Sequence, residues 1–570
     1  MRRSSRIVRT ITLLVSVLTA LGIPAACGAA ESGGLELRKA LLYGGGGNQR
    51  GTALSFYNAS DLYLSGADES ASGGQSLALH YRLSADGGAP VLDWALRWPN
   101  VANRSGNPNS EVFDGIVGTR GGVFVAGRSW SQTQDGVGDK EHKSVLVKFP
   151  LTGATGAAVG GAEWLATPNF FTYRGNESFL AAAYGPDRTG SFHYVYASGY
   201  AQTNGANNTA LLTQYDGAGA LKWTRILGNT GWFMSSFGSA VTTLNGAVYV
   251  AGMTHYPYLD PTALRMALWK VDDAGTLIWV KSQPGFIPGW RGEMALVQSR
   301  RYQSTAGDLY LAGAVKNGPN GGVDVLLLKY DEAGTLLWSK TWGGAADDLA
   351  YGITVNDHAR TPPEGQRLYV AGTTASFGAG KQDVFVLEVN PADGTVLSSR
   401  YYGGPQDDVA WGVQRIGSHV YVVGESKSFA EGGNLAGQAD LLLLQYAVTS
   451  APAPLAVTID IKPDSAENSV NPVNRGKIPV AILSAGRFTA PDVVKSDTLT
   501  FGRLGTERSL AFCQSEDVNG DGQLDLMCHF NTQQAAFQDG DTKGTLKGLT
   551  VSGRTLQGAD SIRIVPGALR

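Results

Sequence analysis

Short apolar runs alternate with turn residues along most of the chain. The clearest example is Asp324–Gly344 (DVLLLKYDEAGTLLWSKTWGG). The apolar run Val325–Tyr330 leads into the turn Asp331–Gly334, and a second strand, Thr335–Trp342, ends at a Gly-Gly pair. Apolar runs of this length, bounded by turns rich in Gly and Asp, are typical of β-strands. The stretch therefore predicts a β-hairpin.

A second pattern, an apolar strand that ends in a small residue and glycine, recurs before each copy of the hairpin. Its copies are Leu62–Gly66, Val123–Gly127, Val195–Gly199, Val248–Gly252, Leu309–Gly313, Leu368–Gly372 and Val420–Gly424. The outer hairpin strand often carries tryptophan, at Trp94, Trp164, Trp223, Trp279 and Trp338. With one further strand before each signature, a unit of roughly 50–70 residues holds four strands, the size of a propeller blade.

The ends of the repeat predict that the ring of blades closes. The seventh unit lacks an outer strand, because the chain turns to a linker after Leu441–Tyr446. Leu37–Gly45 (LRKALLYGG) matches Leu336–Gly344 (LLWSKTWGG) at its Tyr/Trp-Gly-Gly end, so it is predicted to complete the last blade. Closure removes exposed sheet edges. The predicted fold is all-β: a seven-bladed β-propeller over 35–448, closed by its N-terminal strand, and a small β-sandwich-like domain.

These repeats resemble a known family. The segment DVLLLKYDEAGTLLWSKTWGGAADDLAYGITV, followed by LYVAGT, is similar to the SBBP-type β-propeller repeat of exported bacterial proteins. The resemblance is close for the units around 309–424 and loose between about 90 and 300, where the Gly-Gly pair is lost. It implies the propeller fold and an extracytoplasmic location, and it carries over no catalytic residue.

A Pro/Ala linker over 449–455 marks a domain boundary, and short apolar strands follow it over 456–570. The phrases IDIKP, DVNGDGQLD and IRIVP resemble a C-terminal module appended to many secreted bacterial proteins. Within this module, oxygen-bearing residues at alternate positions with glycine at the sixth predict a structural Ca²⁺ loop. The candidate ligands are Asp517, Asn519 and Asp521 through side chains, Gln523 through its carbonyl, and Asp525 directly or through water.

The calcium loop departs from an EF-hand, because its twelfth position is Cys528 rather than Glu. The alternative is a surface turn rich in Asn, Asp and Gly that binds nothing. The chain has three cysteines. In an exported protein, the close pair Cys513 and Cys528 predicts a disulfide that brackets this loop.

The first thirty residues have the pattern of a signal peptide. Four arginines within Arg2–Arg9 precede the apolar run Ile11–Ile23, which is too short to span a membrane. Cleavage within Ala26–Ala30 would release a soluble protein, whereas Cys27 in Ile-Pro-Ala-Ala-Cys resembles the lipidated residue of a bacterial lipoprotein. A later run of membrane-spanning length is absent from the sequence, so a lipid on Cys27 is the one predicted membrane contact.

Composition and motifs argue against several functions. The net charge of −3, without a basic block, argues against nucleic-acid binding. The histidines form no zinc motif, and a Gly-x-Ser-x-Gly nucleophile elbow is absent from the sequence. Asp347-Asp348 and Asp407-Asp408 occupy equivalent repeat positions, which favours a structural role over acid-base chemistry.

The longer loops of the irregular units carry aromatic residues that suit a binding rim for a protein or a glycan. The candidate rim residues are Trp130, Trp232, Tyr256, Tyr258 and Trp290. The sequence therefore favours an exported, non-catalytic binding or scaffold protein of the bacterial envelope or the extracellular space. Two alternatives stay open: a propeller glycoside hydrolase or lyase, and a lipid-anchored envelope assembly factor.

Overall fold

A computed structural model resolves two compact units, which divide between Val448 and Thr449. The residues that the structure describes are 9–11, 34–44, 47–68, 75–84, 86–98, 112–119, 122–132, 140–150, 164–166, 176–187, 189–190, 192–203, 207–228, 235–255, 264–284, 286–287, 294–316, 319–356, 359–361, 365–429, 438–449, 455–465, 467–486, 488–551 and 555–565. Within these ranges, no helix is both long enough and apolar enough to cross a membrane.

The first unit consists of short strands joined by turns. In chain order they are β1 Arg9–Ile11, β2 Leu35–Tyr43, β3 Gln49–Phe56, β4 Asp61–Asp68, β5 Gln75–Arg82, β6 Val91–Trp98, β7 Val112–Thr119, β8 Gly122–Gln132, β9 Lys140–Phe149, β10 Trp164–Ala166, β11 Glu177–Pro186, β12 His193–Thr203, β13 Asn207–Tyr215, β14 Leu221–Ile226, β15 Ser235–Leu244, β16 Ala247–His255, β17 Leu264–Val271, β18 Leu277–Pro284, β19 Phe286–Ile287, β20 Ala295–Arg300, β21 Gly307–Lys316, β22 Val323–Asp331, β23 Leu336–Trp342, β24 Asp348–Val355, β25 Leu368–Thr374, β26 Asp383–Val389, β27 Val396–Tyr402, β28 Asp408–Ile416, β29 His419–Ser426 and β30 Asp440–Val448.

The described strands of this unit form seven antiparallel sheets, which we number along the chain. Sheets 1 to 4 are β3–β6, β7–β10, β11–β14 and β15–β18; sheet 5 comprises β19–β23, sheet 6 comprises β24–β27, and sheet 7 comprises β28, β29, β30, β2 and β1. The all-β prediction is confirmed, and the four-stranded antiparallel sheets are those of a propeller-like fold.

Sheet 7 joins the two ends of the first unit. Strand β2 pairs antiparallel with β30, with Leu41 opposite Leu443 and Tyr43 opposite Leu441. Strand β1 lies on the outer edge of β2. The first strand of each sheet, counted as β20 in sheet 5, also contacts the first strand of the next sheet, and β28 of sheet 7 contacts β3 of sheet 1.

The contacts in sheet 5 explain why the hairpin turn and the outer-strand tryptophan recur in the sequence. In the hairpin of sheet 5, the Asp331 carboxylate accepts the N–H groups of Ala333 and Thr335, and Gly334 takes a φ of 81°. Trp338 on the outer strand donates its indole N–H to the carbonyl of Pro391 in sheet 6, at 3.1 Å. Trp338 therefore packs between neighbouring sheets.

The core of the first unit lies between its sheets. Second and third strands such as β25 and β26 are buried along their whole length, whereas the outer strand β23 is mostly exposed. Side chains from adjacent sheets share clusters; Tyr369 of sheet 6, for example, packs with Val422 and Leu444 of sheet 7. Burial of each large apolar side chain stabilises the fold by roughly 1.5–3 kcal/mol.

The second unit holds two four-stranded sheets. Both sheets contribute to one hydrophobic core that includes Phe501, Phe530 and Leu546. Its elements are β31 Leu455–Ala456, β32 Ile459–Ile461, β33 Ser469–Val470, β34 Lys477–Ile482, α1 Ala490–Val493, β35 Val494–Gly502, β36 Leu510–Glu516, β37 Asp525–Asn531, a short 3-10 helix Gln533–Ala535, β38 Lys543–Thr550, β39 Thr555–Ser561 and β40 Arg563–Ile564. The strand order is β31-β39-β38-β35 in one four-stranded sheet and β32-β34-β37-β36 in the other.

Candidate functional site

A β-bulge recurs at one position of the first strand in six of the seven sheets. A bulge leaves one residue outside the ladder and redirects its side chain. The residues at the bulges are Thr52, Asp114, Leu180, Ser239, Tyr351 and Trp411. In sheet 5, Ala295 pairs with Ala312, just as Gly352, the residue after the bulge, pairs with Ala371 in sheet 6. Met294 is the residue immediately before Ala295. Met294 therefore occupies the equivalent position.

These seven residues line one cavity of about 240 Å³, to which the first segment of every sheet contributes. The cavity thus arises from the repeat as a whole. The residue at the bulge position varies from sheet to sheet and sets the chemistry of the lining. We refer to it as the central cavity.

The residue after each bulge is small, and the reason is the close approach of neighbouring first strands. It is alanine or glycine in every sheet: Ala53, Gly115, Ala181, Ala240, Ala295, Gly352 and Gly412. A Cβ on Gly352 would lie 2.8 Å from the backbone nitrogen of Val413, and one on Gly115 would lie 2.7 Å from the Cα of Ala181. Any larger side chain there would push adjacent sheets apart.

One wall of the central cavity is aromatic. The rings of Tyr351 and Trp411, from adjacent sheets, lie with centroids 4.6 Å apart and an interplanar angle of 38°. Among the described residues, the buried indole N–H of Trp411 has no hydrogen-bond partner. A buried donor without an acceptor costs free energy, so this N–H is a candidate contact for a ligand.

The neighbouring wall is polar. Asp114 and Arg50 line it, and Arg128 lies beside Asp114, with Nη1 4.0 Å from Oδ2. The Thr52 hydroxyl donates to the carbonyl of Phe113, which ties the first strand of sheet 1 to that of sheet 2. Asp114 is the one carboxylate among the described lining residues.

The adjacent carboxylates of the repeat are engaged by backbone and hydroxyl donors. Asp348 Oδ2 accepts the N–H of Gly344 and the hydroxyl of Ser376, both at 2.7 Å. Asp408 Oδ2 accepts the equivalent pair, Gly404 at 2.9 Å and Ser428 at 2.6 Å. These contacts hold the loop after each Gly-Gly pair against the next sheet.

Asp348 and Asp408 each face a second buried carboxylate, which lies on the other side of the first glycine of the Gly-Gly pair. A Cβ on Gly403 would lie 1.8 Å from Asp383 Oδ1 and 3.0 Å from Asp408 Oδ2. Among the described residues, Oδ1 of Asp383 has no hydrogen-bond partner, and the same is true of Asp324 in sheet 5. Burial raises the pKa of Asp383, and the charge on Asp408 also raises it.

The predicted calcium loop is a tight turn between β36 and β37. Asp517 accepts the N–H groups of Gly520, Asp521 and Gly522 at 2.9–3.1 Å, and Asn519 Oδ1 accepts that of Asp521 at 3.0 Å. Gly520 and Gly522 have φ values of 73° and 86°, which glycine adopts without strain. Side-chain oxygens of the first, third and fifth positions therefore lie within one exposed turn.

Asp525 lies apart from the exposed oxygens, at the start of β37. It is fully buried, and its two oxygens accept the N–H groups of Ser484 at 2.6 Å and Val518 at 3.0 Å. It thus links the loop to the segment that follows β34. The described residues contain no group of three or more His, Cys, Asp or Glu side chains placed to hold a metal.

The predicted disulfide is confirmed. Cys513 and Cys528 lie opposite each other on β36 and β37, with an S–S distance of 2.09 Å. The bond closes the two strands that carry the loop, and a bond across this spacing stabilises the folded unit by about 3 kcal/mol in the chain-entropy model.

The predicted lipidation and rim sites lie largely outside the described residues. This holds for Cys27, Trp232, Tyr256, Tyr258 and Trp290. Trp130 lies on β8, where its backbone pairs with His142, but its side chain is also outside the described set.

Sequence reasoning missed the central cavity. Its signal is present in the two clearest copies of the first strand, Leu349-Ala-Tyr-Gly-Ile353 and Val409-Ala-Trp-Gly-Val413. An aromatic residue between two small residues interrupts the period-two alternation of a strand, which is a mark of a bulge.

Comparisons with known proteins add little. No family model matches the chain, and no curated protein matches it. Similar solved structures include the Hadza microbial sialidase Hz136, at 12% identity and a TM-score of 0.37, covering 67% of this chain and 74% of that one. Sqt1 from Chaetomium thermophilum is 10% identical with a TM-score of 0.35, covering 69% and 83%. Likeness at this level identifies neither a ligand nor an activity.

Proposed function

We propose that the chain is an exported, non-catalytic binding protein whose first unit is a closed seven-bladed propeller with its ligand site in the central cavity. The observation that carries this proposal is the cavity itself, because every sheet contributes one redirected side chain to it. Small-molecule sites in proteins are typically concave, mainly apolar, and supplied with a few placed polar groups. The central cavity is concave and combines an aromatic wall with a polar wall.

Two sets of contacts support ring closure. Strand β2 pairs with β30, so the N-terminal strand supplies the outer strand of sheet 7. The contact between β28 and β3 links the last sheet to the first; a Cβ added to Gly412 would lie in van der Waals contact with β3, 3.6 Å from the Cα of Ala53. Extracytoplasmic location is supported by the N-terminal sequence pattern and by the disulfide.

Binding is favoured over glycoside hydrolysis by the lining of the central cavity. Hydrolysis of a glycoside needs two carboxyl groups that flank the scissile bond, roughly 5–10 Å apart. The described lining supplies Asp114 alone. The paired carboxylates of the repeat, such as Asp383 and Asp408, are buried between sheets and hold loops.

A thermal-shift screen tests the proposed site. Wild-type protein and the cavity-blocking variant Ser239→Phe are screened against glycans and peptides, and the supernatants are analysed for products. A ligand of the cavity raises the Tm of the wild type, fails to raise that of the variant, and is recovered unchanged. Conversion of the ligand would refute the non-catalytic assignment. Equal shifts for both proteins would place the site elsewhere.

The loop Asp517–Asp525 is proposed to hold a structural Ca²⁺ in the second unit. Asp517, Asn519 and Asp521 offer the hard oxygen donors that Ca²⁺ prefers. They fit the ion because their oxygens are gathered in one exposed turn, while Asp525 holds that turn by accepting the backbone N–H groups of Val518 and of Ser484, which follows β34. The ion would neutralise carboxylates that otherwise repel one another across the turn. Isothermal titration of the full chain with calcium tests this directly.

A further inference from the structure

The second unit carries a fifteen-residue segment in which no residue is buried, and we call it the flap. It runs from Leu510 to Leu524 and comprises strand β36 and the turn that follows it. The residues on either side of it, Ser509 and Asp525, are both fully buried. Ser509 also donates its hydroxyl to the carbonyl of Phe501. The flap is therefore a surface segment between two fixed points.

The noncovalent contacts of the flap are those of an edge strand. Among the described strands, β36 pairs with β37 alone. Phe512 is 47% exposed and stacks on His529 of β37 with ring centroids 4.5 Å apart, and Lys477 lies over the same ring. Leu510 packs against the core but is only partly buried. Segments with few buried apolar contacts open locally at low free energy, so these contacts alone hold the flap weakly.

One covalent bond joins the flap to the core. Cys513 is the partly exposed half of the disulfide, whereas Cys528 is fully buried on β37. Every buried residue of the core cluster lies outside the flap, including Phe501, Phe530 and Leu546. The core is therefore complete without the flap, and the bond is what holds this segment against it.

We propose that the Cys513–Cys528 disulfide is a redox-sensitive latch on the flap. A dithiol reductant attacks the sulfur of Cys513 as a thiolate and forms a mixed disulfide, while the sulfur of Cys528 leaves and takes up a proton. The second thiol of the reductant then displaces Cys513 as a thiol. Overall, two electrons and two protons pass from the dithiol to the cystine, and the reductant becomes a disulfide. The flap then opens while the rest of the second unit stays folded.

The latch has a consequence for the turn that carries Asp517, Asn519 and Asp521, because this turn lies within the flap. Reduction releases one end of the turn from β37, so the three side chains are no longer held together. This consequence alone rests on the proposed calcium site. The latch itself needs no calcium, and the two are therefore tested separately.

Hydrogen exchange of the full chain, read by mass spectrometry of its peptides, tests the latch. Oxidised protein, protein reduced with dithiothreitol, and the double variant Cys513→Ser/Cys528→Ser are compared in a chelating buffer, so that calcium cannot hold the flap closed. A closed loop of this size corresponds to about a hundredfold in an opening equilibrium in the chain-entropy model. We expect exchange in 510–516 to rise by about that factor on reduction and in the double variant, with β34 and β38 unchanged.

Phe512→Ala is the matched control, because it removes the ring contact with His529 and leaves the disulfide intact. We expect the flap of its oxidised form to exchange less than about tenfold faster than that of the wild type. Dithiothreitol should have no effect on the double serine variant, since this variant lacks the bond. Peptide masses verify that the bond is broken in the reduced sample.

Two results would overturn the proposal. If exchange in the flap is unchanged after full reduction, its noncovalent contacts hold it and the bond is not a latch. If β34 and β38 exchange as fast as the flap, the bond stabilises the whole unit, and reduction unfolds that unit instead of opening one segment. Calcium titration of the oxidised protein bears on the calcium proposal alone, so a failure of that proposal leaves the exchange result to decide the latch.

Discussion

Replacement of Asp383 by asparagine should stabilise the first unit at neutral pH. Asp383 is 1% exposed, faces Asp408 across Gly403, and has one oxygen without a partner among the described residues. Its pKa is raised in the folded state, first by burial, with the charge on Asp408 adding to it. The stability that it contributes is therefore fully present below the unfolded pKa of about 3.9 and is lost as pH rises through the folded pKa.

The size of the effect follows from the same linkage. Each unit by which folding raises the pKa lowers stability at neutral pH by about 1.4 kcal/mol relative to acid. Asparagine keeps an oxygen to accept the N–H groups of Ala379 and Gly380, which lie 2.8 and 3.0 Å from Oδ2. Its amide can also donate toward Asp408. We expect Asp383→Asn to raise the free energy of unfolding by about 1–2 kcal/mol at pH 7 and by close to zero at pH 4.

Urea unfolding, followed by tryptophan fluorescence at both pH values, measures this difference. Asp408→Asn is the contrasting variant, because the Asp408 oxygens accept Gly404, Ser426 and Ser428. It should destabilise the protein by about 1–3 kcal/mol at both pH values, since one amide oxygen cannot serve all these donors. Destabilisation by Asp383→Asn at pH 7, or a difference that does not change with pH, would refute the reasoning and point to a counter-ion between the two carboxylates.

Three further predictions concern other parts of the chain. Calcium should raise the Tm of the second unit in the wild type and not in Asp521→Ala; a rise that persists in the variant would place the ion elsewhere. The alternative of a lipid anchor predicts that labelled palmitate is incorporated into the protein and that Cys27→Ser abolishes the incorporation, whereas unchanged soluble secretion would argue against that anchor. Gly352→Val should destabilise the first unit by about 1–3 kcal/mol in urea, whereas Gly217→Ala, which meets nothing within 4 Å, should cost far less.

Much of the strand arrangement could be predicted from the sequence because the same strand and turn pattern recurs, so an ambiguous copy can be assigned by comparison with a clear one. In the turn Asp331–Gly334 the aspartate accepts two backbone N–H groups. Because the same residue pattern recurs along the chain, this clear copy predicts the less regular turns. The pairing of β2 with β30 was also readable, since Leu37–Gly45 carries the outer-strand pattern that the seventh unit lacks. Cys513 and Cys528 were predictable because few cysteines leave few pairings.

The central cavity was not readable in the same way. Its residues, from Thr52 to Trp411, come from different repeats. They occupy the same position in the first strand of each sheet, but their side chains differ in chemical type. A bulge is a shift in register between two strands, so it becomes visible only when the partner strand is in place. The carboxylate pairs were only partly readable for a related reason: Asp407-Asp408 is adjacent in sequence, but the carboxylate that faces Asp408, Asp383, lies one sheet earlier along the chain.

The pairing of β2 with β30 has a consequence for how the protein is made. The two strands are separated by almost the entire first unit, so during synthesis β2 emerges first and its partner last. Until β30 arrives, the edge of β2 that pairs with it stays unpaired and open to association with other chains. Contacts of such long sequence separation form slowly. A nascent chain truncated before β30 leaves β2 without its partner. Sheet 7 can therefore form fully only after the last residues of the first unit have been synthesised.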